Sequence, residues 1–164
     1  MNDTDSHAVK VAAEKIKHGP ASRPLFFGML CSNARVQFDE KEQKWEAVGN
    51  TTERPLVVAA RKADFDVADF EKWMPRVKEN PFSSARKMMS VLVDCRPANN
   101  DVRARVFTKE EMDTPFVSVV KGAPGYVLKK CTTMLNADGV TKRSLDAEGH
   151  KAVEKGTLVL PALR

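Results

Sequence analysis

The spacing of apolar and polar positions along the chain predicts a mixture of helices and short strands. Apolar residues that recur every three or four positions are typical of helices that bury one face. Glycine and proline interrupt these patterns, as His18-Gly19-Pro20 and Pro75 do. The predicted helices cover residues 9–16, 25–34, 53–62, 64–74, 124–130 and 145–155. We expect Thr51 or Thr52 to cap the third of these helices.

Other segments follow a two-residue period or are short and apolar, which is typical of strands. Residues 36–38 and 45–48 flank a polar stretch and predict a β-hairpin. Further strands are predicted at residues 77–82, 88–94, 102–107, 116–120, 132–135 and 157–160, with polar turns at 96–101 and 136–139. Because the strands are mostly linked as hairpins, the predicted fold class is α+β, with an antiparallel β-sheet flanked by helices.

Composition narrows the class of protein. With 164 residues the chain fits one domain that can bury a core. Its apolar runs are too short to cross a bilayer, and its polar, acidic start predicts no secretory signal peptide. The formal net charge of +5 suits an anionic ligand. It also suits RNA, although the cations are spread along the chain rather than clustered, which weakens that alternative.

The three cysteines have an odd count and no close spacing. Cys31, Cys95 and Cys131 therefore predict neither a zinc site nor a disulfide framework. Reduced thiols in a cytosolic setting are the simplest interpretation. We expect Cys31 and Cys131 to be small core residues, because both lie in apolar surroundings.

One run of residues combines an aromatic ring with paired cations. Phe82 precedes Arg86 and Lys87 by four and five positions. A phenyl face can stack on adenine, and the two cations could meet phosphate oxygens. Spacing alone leaves open a phenylalanine in the core and cations that guard a strand edge.

A second run places Lys121 and Gly122 between a predicted strand and a predicted helix. Glycine lets a ligand approach the backbone, and the start of a helix offers free N–H groups to anions. An ordinary strand-to-helix connection is equally compatible. Glu53 could accept a hydrogen bond from an adenine amino group, or it could merely favour the first turn of its helix.

Five short motifs, which follow one another along the chain, contain these candidate binding residues. The chain reads LCSNA at residues 30–34, VGNTTE at 48–53, FSSARKMMSV at 82–91, VKGAP at 120–124 and VLKKC at 127–131. In this order they resemble the nucleotide-binding domain of P-type cation-transporting ATPases. Residues 127–136 are most similar to the plasma-membrane-type calcium ATPases.

The resemblance implies a nucleotide-binding domain over residues 24–164, preceded by a helical or linker segment at 1–23. It implies ATP as the ligand, with Phe82 stacked on adenine and Glu53 meeting the base. Lys87 and Lys121 would line the pocket, with Gly122 against the ligand. The supporting positions would be Thr52 and Arg86.

Some positions depart from the family pattern. Gly125 replaces the glutamate that usually follows Lys-Gly-Ala-Pro, and Arg54-Pro55 replaces small residues. The C-terminal segment lacks the family's arginine near the phosphates, and Arg103, Arg105 and Arg143 are candidates to replace it. The Asp-Lys-Thr-Gly-Thr phosphorylation motif is also absent from the sequence. We therefore expect weaker phosphate contacts, and ATP binding without hydrolysis by this chain alone.

The resemblance also implies partners in a parent pump. These would be its phosphorylation, actuator and transmembrane domains, with Mg²⁺ required by the parent enzyme and no nucleic acid expected. The domain would work at the cytoplasmic face of a membrane and present ATP to an aspartate of a neighbouring domain. Phosphorylation of that aspartate would then drive cation transport. A stand-alone, catalytically silent regulatory or interaction module is the alternative.

Overall fold

The computed structural model describes residues 21–65, 67–138 and 141–159. The helix predicted at residues 9–16 lies outside this part of the chain. The helices are α1 (Ser22–Leu30), α2 (Arg54–Lys62), α3 (Val67–Trp73), α4 (Asn100–Val106), α5 (Pro124–Leu128) and α6 (Ala147–Val159). The strands are β1 (Arg35–Asp39), β2 (Lys44–Val48), β3 (Arg76–Ser83), β4 (Met88–Asp94), β5 (Phe116–Gly122), β6 (Thr133–Leu135) and β7 (Lys142–Ser144). A 3₁₀ turn spans Lys109–Glu111.

The largest sheet has the strand order β3-β4-β5, and both of its strand pairs are antiparallel. Its central strand β4 has the predicted bounds, because Met89, Val91 and Val93 alternate with less buried residues. The predicted hairpin is confirmed as β1 and β2, in which Phe38 lies opposite Trp45. The α+β class with antiparallel sheets is confirmed, although the described strands form three separate sheets.

The hydrophobic core lies between the inner face of this sheet and the helices α1, α2 and α3. Phe26 of α1 is fully buried, and its ring centroid lies 4.6 Å from that of Phe70 and 5.9 Å from that of Phe65. Such tilted and edge-on ring pairs add to the free energy gained by burying their area. The sheet side of this cluster comprises Met89, Val91, Val93 and Val119.

The strand predicted at residues 102–107 is wrong, because residues 102–106 belong to helix α4 and Phe107 is its C-cap. The Asn99 side chain accepts a hydrogen bond from the N–H of Val102 at 2.9 Å and so caps the helix. The sequence Val-Arg-Ala-Arg-Val fits both periods, since Val102 and Val106 are four positions apart and also alternate with polar residues. The predicted turn at residues 96–101 therefore leads from a strand into a helix.

Of the two strands predicted near the C-terminus, the one at residues 157–160 is wrong and the one at 132–135 is confirmed as β6. Residues 157–159 belong to α6 rather than to a strand, because a single glycine such as Gly156 is tolerated inside a helix. Leu160 lies outside the described residues. The strand at residues 133–135 does not join the largest sheet but pairs with the unpredicted strand β7 across a turn.

Cys31 and Cys95 are buried and Cys131 is half-buried, all as free thiols. Burial raises the pKa of the Cys31 and Cys95 thiols, although nearby cations oppose the shift. Within the described residues, no helix combines the length and the apolar character needed to cross a bilayer.

Candidate functional site

A cavity of about 520 Å³ lies where the start of α2 meets the ends of β3 and β5. This volume falls within the range of about 300–1,000 Å³ that is usual for small-molecule sites. Most of the wall is apolar, with one acidic and one basic side chain. The lining residues are Thr52, Glu53, Leu56, Phe82, Met89, Lys121, Gly122 and Ala123.

The charged part of the wall is an ion pair between Glu53 and Lys121. The Nζ atom of Lys121 lies 2.5 Å from Oε1 of Glu53, and the two side chains are 23% and 12% exposed. Nζ also donates to Oγ of Ser32 at 3.3 Å. Because an ammonium group has three N–H donors, one of them is left for a ligand.

Glu53 also holds the segment that connects α1 to β1. Its Oε2 atom accepts hydrogen bonds from the N–H groups of Asn33 at 2.8 Å and Ala34 at 3.1 Å. Burial raises the pKa of the Glu53 carboxyl, but the hydrogen bonds from Lys121 and Asn33 outweigh it and lower the pKa below its usual value. The carboxylate is therefore ionised at neutral pH.

The expected threonine cap of α2 is wrong. Glu53 itself occupies the N-cap position, and no side chain there bonds to the first turn of the helix. The side chain of Asn50 instead accepts from the N–H of Thr52 at 2.8 Å, which forms a local turn before the helix. This arrangement leaves the Glu53 carboxylate free to point towards Asn33 and Lys121.

The segment beneath the ion pair is fixed by side chains of β3. Arg76 donates through Nη1 to Oδ1 of Asn33 at 2.7 Å and through Nη2 to the carbonyl of Ser32. Asn33 in turn donates to Oε1 of Glu79 at 2.8 Å. Ser32 donates its hydroxyl to the carbonyl of Gly28 at 2.7 Å, so its oxygen can accept from Lys121.

Phe82 lies at the rim of the cavity and is 58% exposed. The ladder between β3 and β4 is irregular between Asn80 and Ser83, so the Phe82 ring stands outside the regular register. This exposure excludes the alternative that Phe82 is a core residue. An exposed phenyl ring beside an apolar cavity is suited to stacking on a flat ligand.

Gly122 lines the cavity, but the structure gives a different reason for the glycine than ligand approach. A Cβ atom at this position would lie 2.3 Å from the carbonyl oxygen of Lys87 and 2.8 Å from Cα of Met88. The missing side chain therefore makes room for the turn between β3 and β4. The next residue, Ala123, donates its N–H to the same Lys87 carbonyl at 2.9 Å.

Arg86 and Lys87 are not among the residues that line the cavity. Both lie on the exposed turn between β3 and β4, where Arg86 is two residues and Lys87 one residue before the start of β4. The guanidinium of Arg86 is directed back to the carbonyl of Pro81, at 2.5 Å from Nη2. Of the seven predicted site residues, the cavity thus brings together Thr52, Glu53, Phe82, Lys121 and Gly122.

Several contributors to the site had no role in the sequence-based prediction. Leu56 and Ala123 form part of the apolar wall, and Met89, a core residue of β4, also reaches the cavity. Ser32 belongs to the LCSNA motif, but no sequence pattern indicates that its hydroxyl accepts a hydrogen bond from Lys121. Hydrophobic side chains in a helix or strand carry no sequence signal that separates a cavity wall from ordinary core.

Arg103, a candidate replacement for the missing arginine, has a structural role instead. It is buried and donates to three backbone carbonyls, those of Met112 at 2.5 Å, Cys95 at 2.6 Å and Thr114 at 2.8 Å. These bonds fix the segment between α4 and β5. Arg143 lies in β7, outside the cavity lining, and the Arg105 side chain is outside the described part.

Comparison with known proteins places the chain in a family. The family model described as "P-type ATPase, cytoplasmic domain N" matches residues 21–158. The chain is 35% identical over 97 residues to the "Calcium-transporting ATPase" of Bacillus subtilis, which is 59% of this chain and 10% of that protein. It is 31% identical over 115 residues to the "Cation-transporting ATPase pma1" of Synechocystis, or 70% of this chain and 10% of that protein.

A third relative extends the alignment. The "Probable cation-transporting ATPase F" of Mycobacterium tuberculosis is 29% identical over 140 residues, which is 85% of this chain and 13% of that protein. The chain therefore aligns with only about a tenth of the length of these relatives. The family match spans the elements from α1 to α6 and all the residues that line the cavity. This chain belongs to the family of the cytoplasmic domain N of P-type ATPases.

Proposed function

We propose that this chain is the ATP-binding domain of a P-type cation pump and that ATP binds in the cavity beside Phe82. The observation that carries the proposal is the exposed Phe82 ring at the rim of a cavity that also contains the Glu53–Lys121 ion pair. Adenine stacks on the ring, and the base edge lies near the ion pair. Seven of the eight lining residues come from motifs that resemble this family.

The phosphates extend from the cavity towards the turn that carries Lys87. Lys121 is held deep in the cavity by Glu53 and Ser32, so its remaining N–H faces the bound nucleoside. Lys87 lies on the exposed turn at the rim, where an ammonium group can meet phosphate oxygens in water. This orientation directs the γ-phosphate away from the domain and towards an aspartate of a neighbouring domain.

The chain binds ATP without hydrolysing it, and the parent protein supplies the rest of the chemistry. Phosphoryl transfer needs an aligned acceptor and Mg²⁺. Mg²⁺ is usually bound by substrate phosphates together with one or two carboxylates, so it would reach the site with the nucleotide. The partners are the phosphorylation, actuator and transmembrane domains at the cytoplasmic face of a membrane.

The proposed cargo is calcium. Support comes from the resemblance of residues 127–136 to plasma-membrane-type calcium ATPases and from the Bacillus subtilis relative, whose name is "Calcium-transporting ATPase". The other relatives carry names that specify only cation transport. Calcium-dependent transport by the full-length parent, measured in vesicles with other divalent cations as competitors, tests this part of the proposal.

Calorimetric titration with ATP tests the stacking role of Phe82. We expect Phe82→Ala to weaken binding by about 1–3 kcal/mol, the scale of stacking a base on an aromatic side chain. The matched control is Phe116→Ala, because Phe116 is also exposed but lies at the opposite end of β5 from Gly122. Equal affinities of the wild-type and Phe82→Ala chains for ATP would refute the stacking role.

A further inference from the structure

The shape of the turn that presents Phe82 is set by hydrogen bonds within the turn. The backbone N–H of Lys87 donates to the carbonyl of Ser83 at 2.7 Å, and that of Arg86 lies 3.3 Å from the hydroxyl oxygen of the same serine. The side chain of Arg86 spans the turn and donates from Nη2 to the carbonyl of Pro81 at 2.5 Å. Phe82 therefore lies between two residues that are both tied to Arg86.

The far side of the turn rests on β5. Lys87 has a φ of +56°, in the left-handed region that few non-glycine residues occupy. Its carbonyl accepts the N–H of Ala123 at 2.9 Å and occupies the space that a Gly122 side chain would fill. One end of the turn is thus anchored on the cavity wall, whereas the end near Phe82 is held by the Arg86 side chain.

The carbonyl of Pro81 belongs to the peptide group that joins Pro81 to Phe82. Because Arg86 follows Phe82 in the chain, the hydrogen bond from its side chain to this oxygen closes a loop that includes Phe82. Pro81 has a fixed φ of its own and offers no N–H to the ladder. The hydrogen bond from Arg86 therefore limits the backbone rotations within residues 82–86 that would separate Pro81 from Arg86 and move the exposed ring away from the cavity.

We propose that Arg86 is a positioning residue that holds Phe82 over the cavity, rather than a ligand of the phosphates. The inference rests on the proposed function, since it concerns the ring that stacks on adenine. It is an alternative to the expectation from sequence that Arg86 meets phosphate oxygens. The direction of its guanidinium towards Pro81, and its position outside the cavity lining, carry the assignment.

The affinities for adenosine, AMP and ATP distinguish a positioning role of Arg86 from direct contact with the phosphates. We expect Arg86→Ala to weaken adenosine, AMP and ATP by the same factor of about 3–10, the effect of losing a preordered contact. If Arg86 instead contacted the phosphates, Arg86→Ala would weaken ATP binding and leave adenosine binding unchanged. Lys87→Ala is the matched control, because it removes a neighbouring charge and leaves the bond to Pro81 intact. It should weaken ATP more than adenosine.

A double-mutant cycle and a measurement without ligand complete the test. Arg86→Ala should have no further effect on adenosine affinity in the Phe82→Ala background, because both changes act through the same ring. Hydrogen exchange at residues 82–87 should be faster in Arg86→Ala than in the wild-type chain. Because Arg86 is exposed, we expect the variant to stay folded, and its thermal unfolding temperature, compared with that of the wild-type chain, checks this.

The outcomes distinguish this inference from the proposed function. If the wild-type chain binds neither ATP nor adenosine, the proposed function fails, and the inference fails with it. If the wild-type chain binds and Phe82→Ala weakens adenosine, but Arg86→Ala weakens ATP alone or changes nothing, only the positioning role is overturned. Unchanged hydrogen exchange at the turn in Arg86→Ala would also overturn it.

Discussion

At the level of single residues, the chemistry of the cavity depends on Glu53, whose two carboxylate oxygens have different partners. Oε1 pairs with Lys121, and Oε2 accepts two backbone N–H groups from residues 33 and 34. The same side chain therefore fixes the connection between α1 and β1 and holds an ammonium group at the cavity wall. The ion pair needs an ionised carboxylate, and the lowered pKa of Glu53 favours this form at neutral pH.

We expect Glu53→Gln to lower both the stability of the chain and its affinity for ATP. The variant loses the ion pair with Lys121, and charge-assisted hydrogen bonds of this kind contribute about 1–3 kcal/mol. Chemical denaturation followed by circular dichroism measures the first effect and calorimetry the second. Glu46→Gln, an exposed acid in β2, is the control. Wild-type stability and ATP affinity in Glu53→Gln would show that the ion pair has no role.

Gly122→Ala tests whether the glycine makes room for the neighbouring turn. Its Cβ atom would meet backbone atoms of Lys87 and Met88 that cannot move independently, so we expect a loss of about 1–3 kcal/mol in unfolding free energy. The displaced turn should also weaken ATP binding. Gly125→Ala is the control, since nothing lies within 4 Å of its Cβ position. If both variants unfold at the same denaturant concentration as the wild-type chain, the steric account is wrong.

At the level of elements, the 3₁₀ turn at Lys109–Glu111 joins parts of the chain that are distant in sequence. Glu111 pairs with Arg23 of α1 at 2.7 Å and with Lys142 of β7 at 2.7 Å. It also accepts the N–H of Thr108 at 2.8 Å. Burial raises the pKa of the Glu111 carboxyl, but the bonds from Lys142 and Thr108 and the charge of Arg23 lower it to about 2.

This lowered pKa predicts a dependence of stability on pH. A carboxyl whose pKa falls from 4.5 to about 2 on folding stabilises the native state above pH 4.5. That contribution is lost as the pH falls from 4.5 towards 2. We expect Glu111→Gln to lower the unfolding free energy by about 1–3 kcal/mol at neutral pH. The difference from wild type should shrink on acidification.

Denaturant titrations at a series of pH values check this dependence. Glu110→Gln is the matched control, because Glu110 lies in the same 3₁₀ turn and is exposed. It should follow the wild-type curve at every pH. A stability difference for Glu111→Gln that stays constant from pH 7 to pH 2 would contradict the pairing of Glu111 with Arg23 and Lys142.

Sequence patterns predicted elements well where the length and composition of a segment favoured one structure. Strand β4 was predicted with its bounds, because its apolar run is short, contains Val91 and Val93 and is followed by the turn-forming residues 96–101. Helix α4 was missed because its valines fit both periods, and the Asn99 cap decided between them. Strand β7 consists of Lys142, Arg143 and Ser144, which have no apolar member to mark a strand.

At the level of the whole molecule, the order of motifs predicted which residues lie near the cavity but not how they contact each other. Phe82, Glu53 and Lys121 do converge, although 68 positions separate the last two. That Glu53 and Lys121 pair directly depends on long-range packing that no local pattern encodes. The direction of the Arg86 side chain is likewise a property of the folded turn.

The described fold is compatible with the proposed role, in which this domain binds ATP and the reaction takes place on other domains of the parent protein. The cavity opens at one end of the largest sheet, and the core lies on the inner face of that sheet. A bound ATP would therefore be held by its base, with its phosphates exposed at the rim. An acceptor aspartate on another domain could reach the γ-phosphate without disturbing the core.

Amide chemical-shift mapping during a titration with ATP is the most direct test of this binding mode. We predict that the largest shifts occur at Thr52, Glu53, Phe82, Lys121 and Gly122. The exposed hairpin of β1 and β2 should be unaffected, and inorganic tripolyphosphate, which has no base, should leave Thr52 and Glu53 unshifted. Saturating ATP that shifts none of the residues lining the cavity, or shifts only residues elsewhere, would contradict the proposed site.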